Sequence, residues 1–153
     1  MLTCLEVAKY FLSKVDEESG DMVSNLKLQK LVYYAQGFHL ALFGKPLFNE
    51  EIEAWAHGPV VPDLYHCYKE HGANGIPYPE DIKFSKYGKG TRKFLDEVYE
   101  VLGQYSAFKL RNMTHEEPPW KDAYAKGPNS TISHRSMREY FKTLVSKGEK
   151  KKN

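Results

Sequence analysis

The stretch NLKLQKLVYYAQGFHLALFG, residues 25–44, decides the fold. Its apolar residues recur every three or four positions, which predicts a helix with one buried face. Ser24 and Asn25 are both suited to its N-cap, and Gly44 predicts its end. Gly37 costs the helix about 1 kcal/mol relative to alanine, so we expect another backbone to pack closely there. The predicted buried stripe consists of Leu28, Leu31, Val32, Ala35, Phe38 and Leu42.

Helical signals continue on both sides of this stretch. Thr3 and Glu6 form a capping-box pattern at the start of a first helix. We expect that helix to end at residues 19–21. Ser133 is a predicted N-cap for the last helix, with Ile132 and Met137 as a hydrophobic staple. The remaining predicted helices bring the total to six or seven: about 60–71, 91–102, 106–113, a short turn opened by 118–120, and about 134–145.

One short segment has the period of a strand instead. In 51–56, EIEAWA, apolar and polar residues alternate, which predicts a half-buried strand or hairpin arm. Its expected partner is 47–48 or the loop around 82–84. The predicted fold class is therefore mainly α: a compact single-domain bundle of six or seven helices, with a small β-hairpin or short extended element around residues 47–57 and 82–84. With 153 residues the chain fits one domain, which we place at 1–146, followed by a disordered Lys-rich tail, 147–153.

Composition narrows the class of function. The formal net charge is +2, and the terminal run 147–153 alone contributes +3, so the folded part is near −1 and lacks the basic face of a nucleic-acid-binding domain. No stretch approaches the ~18 apolar residues of a membrane span, and no signal peptide is visible. We expect a cytoplasmic protein that binds neither membrane nor nucleic acid. Cys4 and Cys67 should be reduced and buried, because each lies in an apolar helical pattern.

Motifs for catalysis and cofactor binding are absent from the sequence. It contains no phosphate-binding loop of the GxxxxGK[ST] type, no GxSxG and no HExxH. We therefore predict a protein that is not an enzyme and has no catalytic residues, no cofactor and no metal. One alternative remains open, a metal-dependent hydrolase in which His57, His115 and Glu117 meet in space.

Four segments together resemble a known family. They are NLKLQKLVYYAQ at 25–36, IEAWAHGPVVP at 52–62, LRNMTH at 110–115 with Pro118 and Trp120 close behind, and the closing pair 140–141. In this order they resemble the Panacea domain of the SocA-like antitoxins, a family that includes phage-associated, GepA-like proteins. The resemblance covers nearly the whole chain. The double proline before Trp120 and the lysine tail depart from the family pattern.

The resemblance implies a function in toxin-antitoxin systems, including phage defence. A member of this family is expected to neutralise a cognate protein toxin, encoded by an adjacent gene, by direct protein-protein binding. A second hypothesis is a proteolytic adaptor that delivers the toxin to an AAA+ protease. The resemblance leaves open whether the protein forms a homodimer or a heteromer with its toxin.

Candidate partner-binding residues come from two sources. The motif residues are one source, although they could equally be structural supports. The loop at 72–90 is the other, because its aromatic side chains are typical of interaction hot spots. The candidates are Tyr34, Trp55, His57, Pro59, Tyr65, Tyr78, Phe84, Tyr87, His115 and Trp120.

Overall fold

Helix α2 (Asn25–Phe43) lies at the centre of the fold, and most other elements pack around it. The computed structural model describes residues 1–16 and 22–152, with side chains up to residue 146. Within that part of the chain, six further helices accompany α2. They are α1 (Cys4–Leu12), α3 (Pro62–Tyr68), α4 (Lys89–Leu102), α5 (Ala107–His115), α6 (Pro118–Lys126) and α7 (His134–Lys152).

A three-stranded antiparallel sheet completes the fold. Its strands are β1 (Ile52–Trp55), β2 (Gly58–Val60) and β3 (Ser130–Ile132), with β1 in the middle. The predicted fold class, mainly α with a small extended element, is thereby confirmed. No helix of the described residues is long and apolar enough to cross a membrane.

The predicted helix caps are confirmed wherever they can be seen. Thr3 and Glu6 form the capping box, and the Ser24 hydroxyl accepts a hydrogen bond from the Lys27 amide. Gly44 ends α2 with a φ of 72°, a left-handed conformation that favours glycine. Ser133 Oγ accepts a hydrogen bond from the Ser136 amide at 3.0 Å. The predicted stop at 19–21 lies outside the described residues, and α1 itself already ends at Leu12.

The strand predictions were right about β1 and wrong about its partners. Ala54 pairs with Pro59 of β2 on one side and with Ser130 of β3 on the other. The segment around 82–84 forms no strand, and Phe84–Lys86 is a short 3₁₀ turn. Because 58–60 belongs to the sheet, α3 begins at Pro62 rather than near residue 60, as expected for a proline in the first turn.

At Gly37 a side chain of α7 packs directly against the backbone of α2. The partner is an aromatic ring, and not a backbone as predicted: a Cβ at Gly37 would lie 2.2 Å from Cε2 of Phe141. The fully buried Phe141 ring also makes edge contacts with Tyr33, Tyr34 and Phe38. Glycine therefore lets one ring lie against the centre of α2.

Two further predictions need correction. Cys67 is exposed, because α3 buries Leu64 and turns the thiol outward, whereas Cys4 is buried as expected. Helix α7 continues to Lys152 instead of ending near Val145. Lysine is a good helix former, so the basic run favours continuation. The domain boundary at 146 stays a prediction.

Candidate functional site

The β1–β2 hairpin meets the end of α5 and the start of α6 on one side of the molecule. Five predicted partner-binding residues gather here. Trp55, Tyr65, His115 and Trp120 are half-buried, and His57 is exposed at the hairpin turn. We call this set the hairpin surface. It combines residues from two of the four sequence motifs with Tyr65 of α3.

Stacked rings hold the α5–α6 side of the hairpin surface in place. The rings of His115 and Trp120 lie 4.1 Å apart and almost parallel, and Tyr124 stacks on the far side of the row at 4.7 Å from Trp120. Trp120 Nε1 donates a hydrogen bond to the Trp55 carbonyl at 2.8 Å. This bond ties α6 to β1, so the aromatic side chains are fixed by the fold before any partner arrives.

Tyr65 extends the surface onto α3. Its ring packs against that of Trp55 at 5.0 Å in an edge arrangement. The Trp55 indole donates in turn to Glu53 Oε1 at 2.9 Å. Half-exposed aromatic side chains that are held in one geometry contribute contact area at small entropic cost.

The imidazole of His115 is shifted toward its neutral form. Burial lowers its pKa from 6.5, and the nearby cations Arg111 and Lys30 lower it further. Among the described residues, its buried Nε2 atom has no hydrogen-bond partner. His115 therefore presents a neutral ring, suited to stacking, at neutral pH.

A buried lysine supports the hairpin from below. Lys30 of α2 has no solvent exposure, and its Nζ donates a hydrogen bond to the Pro59 carbonyl at 3.1 Å. Burial, with a smaller contribution from Arg111, lowers its pKa to about 7. Gly58 makes room for it, since a Cβ there would lie 2.6 Å from Lys30 Cε.

Two glutamines of α2 also bond to the backbone of neighbouring segments, in their case as acceptors. Gln29 Oε1 accepts from the Val61 amide at 2.8 Å, and Gln36 Oε1 accepts from the Leu47 amide at 2.7 Å. Sequence reasoning missed these residues together with Lys30. The available signal was three long polar side chains within a helix whose other positions are mostly apolar. The NLKLQKLVYYAQ motif thus fastens the hairpin and the loop before it to α2.

A second buried polar group lies under α6. The Glu117 carboxylate accepts a hydrogen bond from Tyr34 at 2.8 Å, with the hydroxyls of Tyr33 and Tyr140 close by. Burial raises its pKa to about 7. Within the described part of the chain, Glu117 Oε1 and the Tyr33 hydroxyl lack partners. The tyrosine hydroxyls favour the charged carboxylate, but burial outweighs them and shifts Glu117 toward its neutral form.

The other predicted partner-binding residues lie elsewhere. Pro59 is buried in β2. Tyr34 and Tyr87 are also buried and use their hydroxyls internally, Tyr34 with Glu117 and Tyr87 with the Glu6 carbonyl at 2.6 Å. Their burial does not favour contact with a partner, and their role as partner-binding residues stays a prediction. Tyr78 and Phe84 are exposed, and Arg92 of α4 lies over the Phe84 ring.

The structure does not bring the three residues of the metal-site alternative together as one set of ligands. His57 and His115 are close enough to interact electrostatically, but Glu117 is turned into its tyrosine cage. No group of three His, Cys, Asp or Glu side chains among the described residues could hold a metal ion.

The fold and the hairpin surface define a class: a small helical domain in which a three-stranded sheet is fastened to a central helix and carries a fixed aromatic surface. Residues 28–121 match the sequence model of the family described as antitoxin SocA-like, Panacea domain. The chain therefore belongs to the SocA-like Panacea family, and the predicted resemblance is confirmed. The match begins within α2 and ends in α6, so it contains the whole hairpin surface.

A curated relative agrees with this assignment. Antitoxin SocA of Caulobacter vibrioides (strain NA1000 / CB15N) is 33% identical over 121 residues, a stretch that covers 72% of this chain. The chain spans 64% of the length of that relative. No solved structure matches the chain significantly.

Proposed function

We propose that this protein is an antitoxin that neutralises a cognate protein toxin by binding it directly. The observation that carries the proposal is the overlap between the family match at 28–121 and the hairpin surface. The relative with 33% identity is named an antitoxin, which supports the same role. We propose the hairpin surface as the contact site.

The construction of the surface supports a binding role. Trp55 and Trp120 are joined by a hydrogen bond, and the ring of His115 is stacked, so few side-chain rotations remain to be lost on association. Ordering a mobile side chain at an interface costs about 0.5–1.5 kcal/mol. Aromatic residues are also enriched among the side chains that dominate binding energy.

We further propose that the toxin is encoded by an adjacent gene, that the two proteins meet in the cytoplasm, and that neutralisation involves no catalysis. The functional species is then a heteromer of antitoxin and toxin. A homodimer in the absence of the toxin would be distinguished by its mass in light scattering.

Delivery of the toxin to an AAA+ protease is the alternative mechanism. In the first mechanism, which we call occlusion, the antitoxin inactivates the toxin simply by covering its surface. The two mechanisms differ in one observable, the lifetime of the toxin. If the antitoxin acts as an adaptor, the toxin should disappear faster when antitoxin and protease are both present. If it acts by occlusion, rescue should persist in a strain without the protease while the toxin accumulates.

Co-expression with the neighbouring gene tests the proposal. The wild-type chain should restore growth and co-purify with the toxin. His57→Ala and Tyr65→Ala should weaken rescue, whereas Phe108→Ala, at an exposed aromatic residue outside the hairpin surface, serves as the control. A neighbour that is harmless alone, or that stays toxic beside the wild-type protein, would remove the proposed function.

A further inference from the structure

A positively charged residue borders the hairpin surface on its α5 side. Arg111 lies four residues before His115 on α5, so the two side chains lie on the same side of the helix, one turn apart. Arg111 is half-buried, and its charge helps to lower the pKa of both His115 and Lys30. An interaction with both groups places the charge of Arg111 where α5 meets the hairpin.

Arg111 has no acidic partner within the part of the chain whose side chains the structure describes. It belongs to none of the ion pairs found there, and its Nη1 atom donates to the neutral Asn112 Oδ1 at a long 3.4 Å. Its effect on Lys30 and on His115 is repulsive in both cases. A guanidinium held beside two other basic groups is a local concentration of positive charge.

Three acidic side chains of the same region are directed elsewhere. Glu117 is enclosed by the tyrosine cage under α6, and Glu53 accepts a hydrogen bond from the Trp55 indole. Glu116 lies five residues after Arg111, which is about 140° around the helix axis. The guanidinium is therefore available to a carboxylate from outside the molecule.

The aromatic side chains next to Arg111 favour an ion pair at this position. His115 and Trp120 stack on each other beside it, and a partner that covers these rings would also exclude water from the guanidinium. An ion pair that is shielded from water is stronger than one at an open surface. Arginine is also among the residue types that dominate binding energy, and its planar guanidinium can bond both oxygens of one carboxylate.

We propose that Arg111 determines which toxin is recognised, by pairing with an aspartate or glutamate side chain of the toxin at the α5 edge of the hairpin surface. Apolar neighbours of that carboxylate would pack on the rings of the hairpin surface. A toxin with an apolar or basic side chain at this point would leave the guanidinium covered and unpaired, and would bind weakly. This inference rests on the proposed function, because it assigns a chemistry to the contact between the toxin and the hairpin surface.

Charge reversal at Arg111 tests the inference in the complex of the full chain with the product of the adjacent gene. Arg111→Glu sets two carboxylates against each other, so the affinity for the toxin should fall at least about a hundredfold. Arg111→Lys keeps the charge but loses the two-pronged geometry, so the loss should be about tenfold. Isothermal titration calorimetry measures the affinities, and circular dichroism checks that each variant is folded.

Arg138→Glu is the matched control. Arg138 is exposed, lies beside Gly44 at the other end of α2 and takes part in no ion pair among the described side chains. Its reversal makes the same change in net charge as Arg111→Glu. It should leave the affinity for the toxin unchanged.

A suppressor screen identifies the partner carboxylate. Each Asp and Glu codon of the toxin gene is changed to Lys in turn, and the variants that are still toxic are expressed with the wild-type antitoxin or with Arg111→Glu. We expect one toxin variant that escapes the wild-type antitoxin and is neutralised by Arg111→Glu. Restored growth in that pair would also show that Arg111→Glu is folded.

The outcomes separate this inference from the proposed function. A wild-type chain that neither binds nor neutralises the toxin would overturn both. If the wild-type chain binds the toxin but Arg111→Glu binds as tightly, or loses no more affinity than Arg138→Glu, the role of Arg111 is overturned and the proposed function stands. A screen in which no toxin variant exchanges its preference would overturn the carboxylate as the partner of Arg111.

Discussion

Lys30 and Pro59 are joined by a hydrogen bond in which an amine with no solvent exposure donates to a backbone carbonyl of the β1–β2 hairpin, at 3.1 Å. The bond fastens the sheet to α2 and so positions the hairpin surface. A lysine this deeply buried is costly in its charged form. Its presence, together with the glycine that makes room for it, has consequences that can be measured.

Gly58→Ala should destabilise the protein by about 2–4 kcal/mol, because it combines backbone strain with overpacking. Gly58 has a φ of 111°, and an added Cβ would lie 2.6 Å from Lys30 Cε and 2.9 Å from Thr114 Oγ1. Gly44→Ala is the matched control: its φ is 72° and nothing lies within 4 Å of the new Cβ, so it isolates the backbone cost of about 1 kcal/mol. Urea unfolding of the three proteins gives both values. Equal losses would mean that the space beside Lys30 is not restricted.

Lys30→Met should change how stability depends on alkaline pH. The folded pKa of Lys30 is lowered from 10.5 to about 7 by burial. Between these values the unfolded chain holds a proton that the folded protein has lost, so stability rises with pH across this window, by at most about 1.4 kcal/mol per unit. The free energy of unfolding of wild type should therefore increase relative to that of Lys30→Met as pH is raised from 7 to 9. Parallel stability curves in urea titrations across that range would contradict a neutral buried amine.

Much of α2 could be predicted from its sequence, because the signals for a helix are local. The apolar period, the Ser24 cap and the Gly44 stop all act within one or two turns. The strand at 52–55 could be predicted for the same reason, because its alternation of apolar and polar residues is local. The third strand was not, because three residues at 130–132 carry too little alternation to distinguish them from a turn.

The site was harder to predict than the fold. Residue type indicated that tyrosines could serve as contacts, but it did not distinguish the half-exposed Tyr65 from the buried Tyr34 and Tyr87. Exposure depends on which helices cover each position, and α2 is covered on most sides. The role of Lys30 was hidden because its acceptor at Pro59 lies 29 residues further along the chain.

Glu117→Gln should remove a pH dependence of the opposite sign. Burial raises the folded pKa of Glu117 from 4.5 to about 7, so between these values the folded protein holds a proton that the unfolded chain has released. Stability from this group is therefore lost as pH rises from 4.5 to 7, by up to about 3 kcal/mol in total. The glutamine side chain can accept from Tyr34 and donate to Tyr33, as the neutral acid would.

Thermal or urea unfolding of Glu117→Gln should match wild type near pH 4.5 and exceed it at pH 7.5. Glu116→Gln, at the exposed neighbouring position, is the control and should follow the wild-type curve. A Glu117→Gln variant that is less stable than wild type at pH 7.5 would mean that the tyrosine cage requires the charged carboxylate.

Gly37 and Phe141 should show strong energetic coupling. In Gly37→Ala the new Cβ would lie 2.2–2.5 Å from three atoms of the Phe141 ring, and this ring is fully buried among other aromatic side chains. The ring has little space in which to move, so the substitution should cost about 1–3 kcal/mol despite the better helix propensity of alanine.

Phe141→Leu removes part of the ring, and as a single substitution it should lower stability through lost packing. In the Phe141→Leu background, however, Gly37→Ala should cost at least about 1 kcal/mol less, because the clashing ring atoms are gone. A double-mutant cycle from urea unfolding measures this coupling directly. If the two losses simply add, α7 does not lie against Gly37 as tightly as the packing of α2 and α7 requires.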